Sequence, residues 1–452
     1  VLTQRRGAGL SLTAGNVFAT AAQLASTALT VGQGAVINVD PGQAINLRSV
    51  GQLTMDGTLN AWGGSVSLEG LTAATSEAVN AAGHGRSIWV GEHALIDVAA
   101  RAATAVDSQG RRYGVVRDGG SISLGGTLDL NTGLAKASDL FVVVRDGARL
   151  DASGTQTELT VPGQGTVSVA SNGGSISLAS NNGLYLEGSV MARAGGAGAA
   201  GGSLNLALES PYYTRTGVAD RVLKVRELVL GQGHPPSALV GTPAAAADSL
   251  DYGHARLGVD QVQAGGFDNL ALLSNGLLSF DGDIRLNMGQ SLRLYSRGYG
   301  LSDNAAATAR IDLSAPHLLL AGYLPPPESG KDFYVRPVPV LPVPSQRATQ
   351  AQFNAEGQLV EVRGNVIFGN RSSLYRADAS QASLERRGFD QVNLTSQGDL
   401  RFLAGTSVND IITGVSTQLL TQGDIDGSMH PNRAGYSAMS EPLLETLREL
   451  VD

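Results

Sequence analysis

Two carboxylate pairs, Asp281/Asp283 and Asp424/Asp426, are the residues whose type and spacing most directly suggest chemistry. Enzymes that cleave polysaccharides use two carboxyl groups, one as acid and the other as base or nucleophile. Both pairs here have i,i+2 spacing beside glycine, where aspartate more simply serves as a turn residue. The six histidines, His84, His93, His234, His254, His317 and His430, show no metal-ligand spacing and read as surface or loop residues. Residues 265–270 (GGFDNL) resemble half of a calcium-binding nonapeptide, but no tandem array follows and Phe267 replaces the central glycine. With no cysteine in the chain, disulfides and cysteine–zinc sites are excluded. These observations predict no catalytic residue, no cofactor and no metal. One aromatic is singled out as ligand-facing. Trp89 falls on the outward parity of a short strand between Ile88 and Val90, where an indole either stacks on a sugar ring or packs beneath an excursion at 101–117.

The elements that must carry these groups repeat. Residues 173–206 hold three short alternating runs, each closed by glycine, between two copies of a GGS-apolar-polar-Leu cassette. Successive strand residues face opposite sides, so each run buries one face and wets the other. Three strands and then the first again describe one coil of a stacked β-helix. The cassette recurs at Gly63, Gly85 (GRSIWV), Gly119, Gly173 and Gly201. A second element, glycine then an apolar-Asp/Asn/Ala step, appears at Gly57, Ala94, Gly126, Gly147 and Gly188. Cassette serines form the wet strand face rather than nucleophiles. Irregular spacing predicts loops leaving the coil at corners, at 104–116 and 155–165 among others.

The predicted fold is all-β, a parallel β-helix (solenoid) with loop excursions and a short C-terminal helix. Residues 1–208 are β-helix coils with GGSxxL cassettes, and 209–262 are irregular coils with an inserted loop. Coils resume at 263–322 and 352–430, separated by a proline-rich excursion at 323–351. Residues 431–452 are a helical tail or cap. Residues 266–280 and 388–402 match as GFDxxxLxSxGxLxF, with Phe267 and Phe389 as corner plugs. At ~20–28 residues per coil the chain would form on the order of 14–18 coils, a rod roughly 70–90 Å long. A net charge of −8 argues against a nucleic-acid footprint. The chain begins with Val1 and reads as an internal fragment.

The GGSISL cassettes, the GARLDASG and GLYLEGSVMARAGGAGAAGGSLNL phrases and the paired GFD motifs resemble the filamentous haemagglutinin-like exoproteins of bacterial two-partner secretion. The resemblance covers most of 1–208, 263–322 and 352–430. It implies a right-handed β-helical fibre, secreted to the bacterial cell surface through an outer-membrane two-partner transporter. It further implies adhesion, aggregation or biofilm cohesion through a cell-surface receptor or glycan. A polysaccharide-degrading β-helical enzyme and a stalk for a C-terminal toxin are the alternatives. The N-terminal secretion domain and the toxin signature of that family are not visible here.

Overall fold

The computed structural model describes residues 7–71, 86–209, 212–213, 227–235, 239–322, 334–335, 350–375, 381–403, 407–410 and 416–417. The chain is a parallel β-helix with three faces. On the first face, Leu10–Ala14, Ala44–Ser49, Ser65–Gly70, Ser121–Leu124, Ser175–Ser180 and Ser203–Leu208 stack in parallel register. The column continues through 269–274, 291–296, His317–Ala321, 359–363 and 399–402. Those are eleven rungs among the described residues, between which hairpins and excursions leave the coil. The third face begins as Val36–Asn38, Thr58–Asn60, Leu95–Asp97, Arg149–Asp151 and Ser189–Met191. The helix Val259–Gly265 follows in that column, its Gly265 carbonyl accepting from the Ala192 amide at 3.0 Å. Strands return with Ile284–Asn287, Arg310–Ser314, 352–356 and 391–395.

Glycine pairs turn the corner from the third face to the first. An added Cβ on Gly174 would lie 1.9 Å from the Gly120 carbonyl, and on Gly120 2.2 Å from the Gly64 carbonyl. Those carbonyls accept the Ser175 and Ser121 amides at 3.0 and 2.9 Å, so the ladder itself occupies the space. The cassette glycine is therefore required by close backbone approach. Gly174→Ala is expected to destabilise the chain by about 3 kcal/mol, read from the urea midpoint. An unchanged midpoint would overturn the packing argument.

Serine shapes the corner from one face to the next. Ser49, Ser274, Ser296 and Ser396 each accept the amide of the glycine two residues on, at 3.1–3.3 Å. Ser274 and Ser396 also donate to the carbonyls of Leu277 and Asp399, at 2.8 and 2.7 Å. This local turn chemistry explains the GFD repeat. Its two copies form bent strands, Asn269–Asp281 and Gln391–Phe402, but on different faces. The first arm of the earlier copy stacks on the first face, and that of the later copy on the third.

Two assignments from the repeat pattern need correction. The GRSIWV segment is not a first-face cassette; Ser87–Val90 lies on the second face between Gln52–Met55 and Phe141–Val144. Its resemblance to the cassette reflects shared alternation, which is common to all faces. The GTLDL segment at Gly126 leaves the coil as an antiparallel hairpin, Gly126–Asp129 with Leu134–Ala137. That hairpin lies over the first face, where Leu128, Leu130 and Ala135 join Ala179, Ala207 and Tyr295 in an apolar layer. The excursions at 104–116 and 155–165 are hairpins too, Ala102–Val106/Arg112–Val116 and Gln156–Val161/Gly165–Ala170.

The second face departs from chain order. Its column runs Gly183–Leu186, His254–Gly258, Glu227–Gly231 and then 277–281, so the later strand sits inside the earlier one. One rung is thereby added to this face. Farther along the first face gains both His317–Ala321 and 359–363, while 298–301 on the second meets Asn365–Phe368 directly. The extra rung is cancelled there. The excursions flanking these two irregularities pair with each other, Tyr212–Tyr213 antiparallel to Tyr334–Val335. Residues 323–333 and 336–349 of the proline-rich excursion, and the expected C-terminal helix, lie outside the described residues.

The core is aliphatic through the first half, with Ile45, Leu47, Leu53, Ile96 and Leu150 all buried. It becomes aromatic in the second half, where Phe280, Tyr299, Phe353, Phe368 and Phe389 stack ring on ring. Phe267 and Phe389 both lie in this core. No helix among the described residues is long and apolar enough to cross a membrane.

Candidate interaction surface

Trp89 points outward from the second face, as its parity requires, yet only 3% of it is exposed. It packs with Phe141 and Val143 beneath Leu239, Ala246, Leu250 and Tyr252. The Arg145 guanidinium lies 5.1 Å over the indole and donates to the Leu239 and Gly241 carbonyls at 2.8 and 3.1 Å. The Asp251 amide donates to the Tyr185 hydroxyl at 2.6 Å, and burial pushes that hydroxyl up to about 12. The ligand-facing assignment of Trp89 is therefore corrected, and so is its proposed cover: the strap is 239–252, not 101–117. Parity tells which side a residue faces and is silent on what later chain covers that side. Trp89→Ala is expected to cost about 3–5 kcal/mol by truncating a buried indole. Limited proteolysis should show faster cleavage within 239–252, and unchanged cleavage there would sink the strap reading.

Farther along the same outer side the residues become charged. Glu227 receives Arg386 Nε at 2.6 Å and Nη2 at 2.8 Å and also accepts from the Ser279 hydroxyl. Arg386 Nη1 reaches Asp303 at 2.8 Å. Asp281 pairs with Arg256 at 2.5 Å and accepts from the Ser302 hydroxyl at 2.7 Å. Asp283 accepts the Arg310 amide at 2.9 Å. The i,i+2 carboxylates thus secure different rungs. Asp424 and Asp426 lie outside the described residues.

Three histidines pair with carboxylates: His93 with Asp56 at 3.3 Å, His234 with Asp260 at 2.7 Å and His317 with Glu361 at 3.0 Å. His254 is instead a second-face strand residue whose ring lies 6.0 Å from that of Tyr185. His84 and His430 lie outside the described residues. No metal-holding group of three or more ligands occurs among the described residues. Asp268 of the GGFDNL segment accepts the Gly201 amide at 2.6 Å, a corner-closing role.

These groups set a pH dependence. Burial holds the His254 imidazole below its ordinary 6.5, against the opposing pull of Glu227 and Asp251. A depressed imidazole contributes stability above the unfolded value and loses it as pH falls through the folded one. Burial pushes the Asp281 and Asp312 carboxyls up, but hydrogen bonds from Ser302 and Arg256, and from Arg310 and Asn354, outweigh it and hold both below the carboxylate range. Their contribution is lost at still lower pH. The melting temperature should fall first below about pH 6.5 and again below about pH 4. His254→Gln should remove the first step alone; retention of that step would reject the assignment.

Apart from the exposed Val36, the third face carries polar side chains that bond along the column. Asn60 donates to Asn38 at 2.7 Å, Asn354 to Asp312 at 2.8 Å and Asn393 to Asn354 at 2.8 Å. At its corner the second tryptophan, Trp62, donates to Asp97 at 3.0 Å beneath the Arg101 guanidinium, 5.3 Å from the ring. Beside it rise the two hairpins, joined where the Arg112 amide donates to Thr160 Oγ1 at 3.1 Å. The first hairpin exposes Val106 (60%), Tyr113 (52%) and Val115 (43%). The sequence marks an excursion here but not its apolar exposure, because neither AATAV nor RYGVV alternates apolar with polar residues. No family model, curated protein or solved structure matches this chain.

Proposed function

We propose that this chain is a structural and adhesive segment of a large secreted bacterial surface fibre, of the filamentous haemagglutinin-like kind exported by two-partner secretion. One observation carries the reading. Along a parallel coil, charged side chains tie rungs and excursions together, and the hairpin that leaves the coil adds Val106, Tyr113 and Val115 to the exposed large apolar side chains, which also include Leu12 and Val36 on the coil and Phe18 and Val240 on its loops. In such a solenoid each rung contacts only its neighbours, so a change at one excursion stays local. Projecting hairpins can then meet a cell-surface receptor or glycan without disturbing it. The outer-membrane transporter is the second expected partner.

The test is genetic and functional. Deleting a neighbouring transporter gene should remove the chain from the cell surface, detected with antibody on intact cells. Purified chain should bind host or neighbouring cells and promote their aggregation. Release of reducing ends from a polysaccharide, with no cell binding, would overturn the fibre reading in favour of an enzyme.

A further inference from the structure

The strap 239–252 is built to move separately from the coil. Its apolar anchors, Leu239, Ala246, Leu250 and Tyr252, pack with Trp89, Phe141 and Val143 in a cluster of their own, apart from the main core. No residue of the strap lies in a strand. Left-handed glycines, Gly241 (φ 76°) and Gly253 (φ 81°), bound its helical part. Segments with few buried apolar contacts open at a lower free energy than the core.

Polar fastenings stand at both ends of the strap. At the first, Arg145 donates to the Leu239 and Gly241 carbonyls. At the second, the Asp251 amide donates to the Tyr185 hydroxyl and the Gly253 amide to the Asn182 carbonyl, both at 2.6 Å. His254 follows at once. Its half-buried ring lies 6.0 Å from that of Tyr185, which carries the second fastening. The charged groups around the imidazole are Glu227 on the next rung, Asp251 on the strap and Arg256 on its own strand. The rung before it contributes Gly183 and Tyr185. Glu227 is already engaged by Arg386 and by the Ser279 hydroxyl, which limits what it offers a second cation.

We propose that the strap is an acid-released cover: protonation of His254 loosens its second fastening and bares Trp89, Phe141 and Val143 while the coil stays folded. An imidazolium needs more water than the half-buried ring receives. Burial outweighs the pull of Glu227 and Asp251 and holds the ring neutral. Once the strap lifts, the ring regains its ordinary affinity for a proton, so opening takes up a proton and is favoured as pH falls. The device goes beyond the fibre reading and does not depend on it.

The chain has no cysteine, so a single introduced thiol reports opening. Ala246 on the strap is 1% exposed, and Ala61 in the main core is fully buried. Ala246→Cys in the full chain is labelled with a thiol reagent, and its rate is referred to the urea-unfolded chain at the same pH. Protection should fall from about pH 7.5 to about pH 5.5, with a slope of at most about tenfold per pH unit, that of one proton. Ala61→Cys should stay protected throughout. Adding His254→Gln should make protection of the strap thiol independent of pH. Adding Tyr185→Phe, which removes the fastening hydroxyl, should lower protection at every pH and keep the slope; this variant keeps the test open if His254→Gln fails to fold. A fall of less than about twofold over that range, a slope that survives His254→Gln, unchanged protection with Tyr185→Phe, or parallel loss of protection in Ala61→Cys would overturn the proposal.

Discussion

Glu227→Ala should lower the unfolding free energy by about 3 kcal/mol, the cost of removing the two-pronged partner of a buried cation. Arg386 is 7% exposed and is bound by Glu227 in two-pronged fashion and by Asp303. The pair joins a strand after the first large irregularity to the hairpin Asn370–Tyr375/Gln381–Arg386, across 159 residues of chain. Gly300 makes the crossing possible, since a Cβ there would lie 2.8 Å from that of Arg386. Replacing both partners, as Glu227→Leu with Arg386→Met, should recover much of the loss, because desolvation is then no longer uncompensated. Denaturant unfolding of the two single variants and the double variant measures the coupling. Additive effects would show that the pair is not a unit.

Phe353→Ala should cost a similar 3–5 kcal/mol, and its effect should be confined. The ring lies 5.0 Å from Phe368, 5.4 Å from Phe389 and 5.7 Å from Phe280, centroid to centroid, with all four fully buried. It is the centre of the aromatic stack. In a solenoid each rung contacts its neighbours, so the cavity should loosen the rungs from 269 to 402 before those from 44 to 208. Amide exchange resolves this directly. Equal loss of protection in both halves would mean that the coil unfolds as one unit. Phe353→Leu, which refills most of the volume, should be much milder.

Both predictions concern contacts that no local pattern announces. The alternation of Ile176 and Leu178 with Ser175 and Ser177 is visible in sequence, and those residues pair as the pattern requires. So are the cassette glycines, because a carbonyl of the rung below leaves no space for Cβ. The candidate sites were less legible. Trp89 has its outward parity in sequence, but its cover comes from residues about 150 positions later. Asp281 and Asp283 look like a pair, yet their partners Arg256 and Arg310 pull them to separate tasks.

The sequence by itself determined the three-faced coil, its Ser-x-Gly and Gly-Gly corners and the inward side of each strand. These depend on a period of two and on turn chemistry within a few residues. Tertiary structure alone decided which rung follows which. Strand His254–Gly258 slips beneath Glu227–Gly231, and the two GFD copies occupy different faces, because every rung presents much the same ladder of amides and carbonyls. Loop closure, outer-face ion pairs and covering segments must then choose among equivalent edges, and these act between residues far apart in the chain.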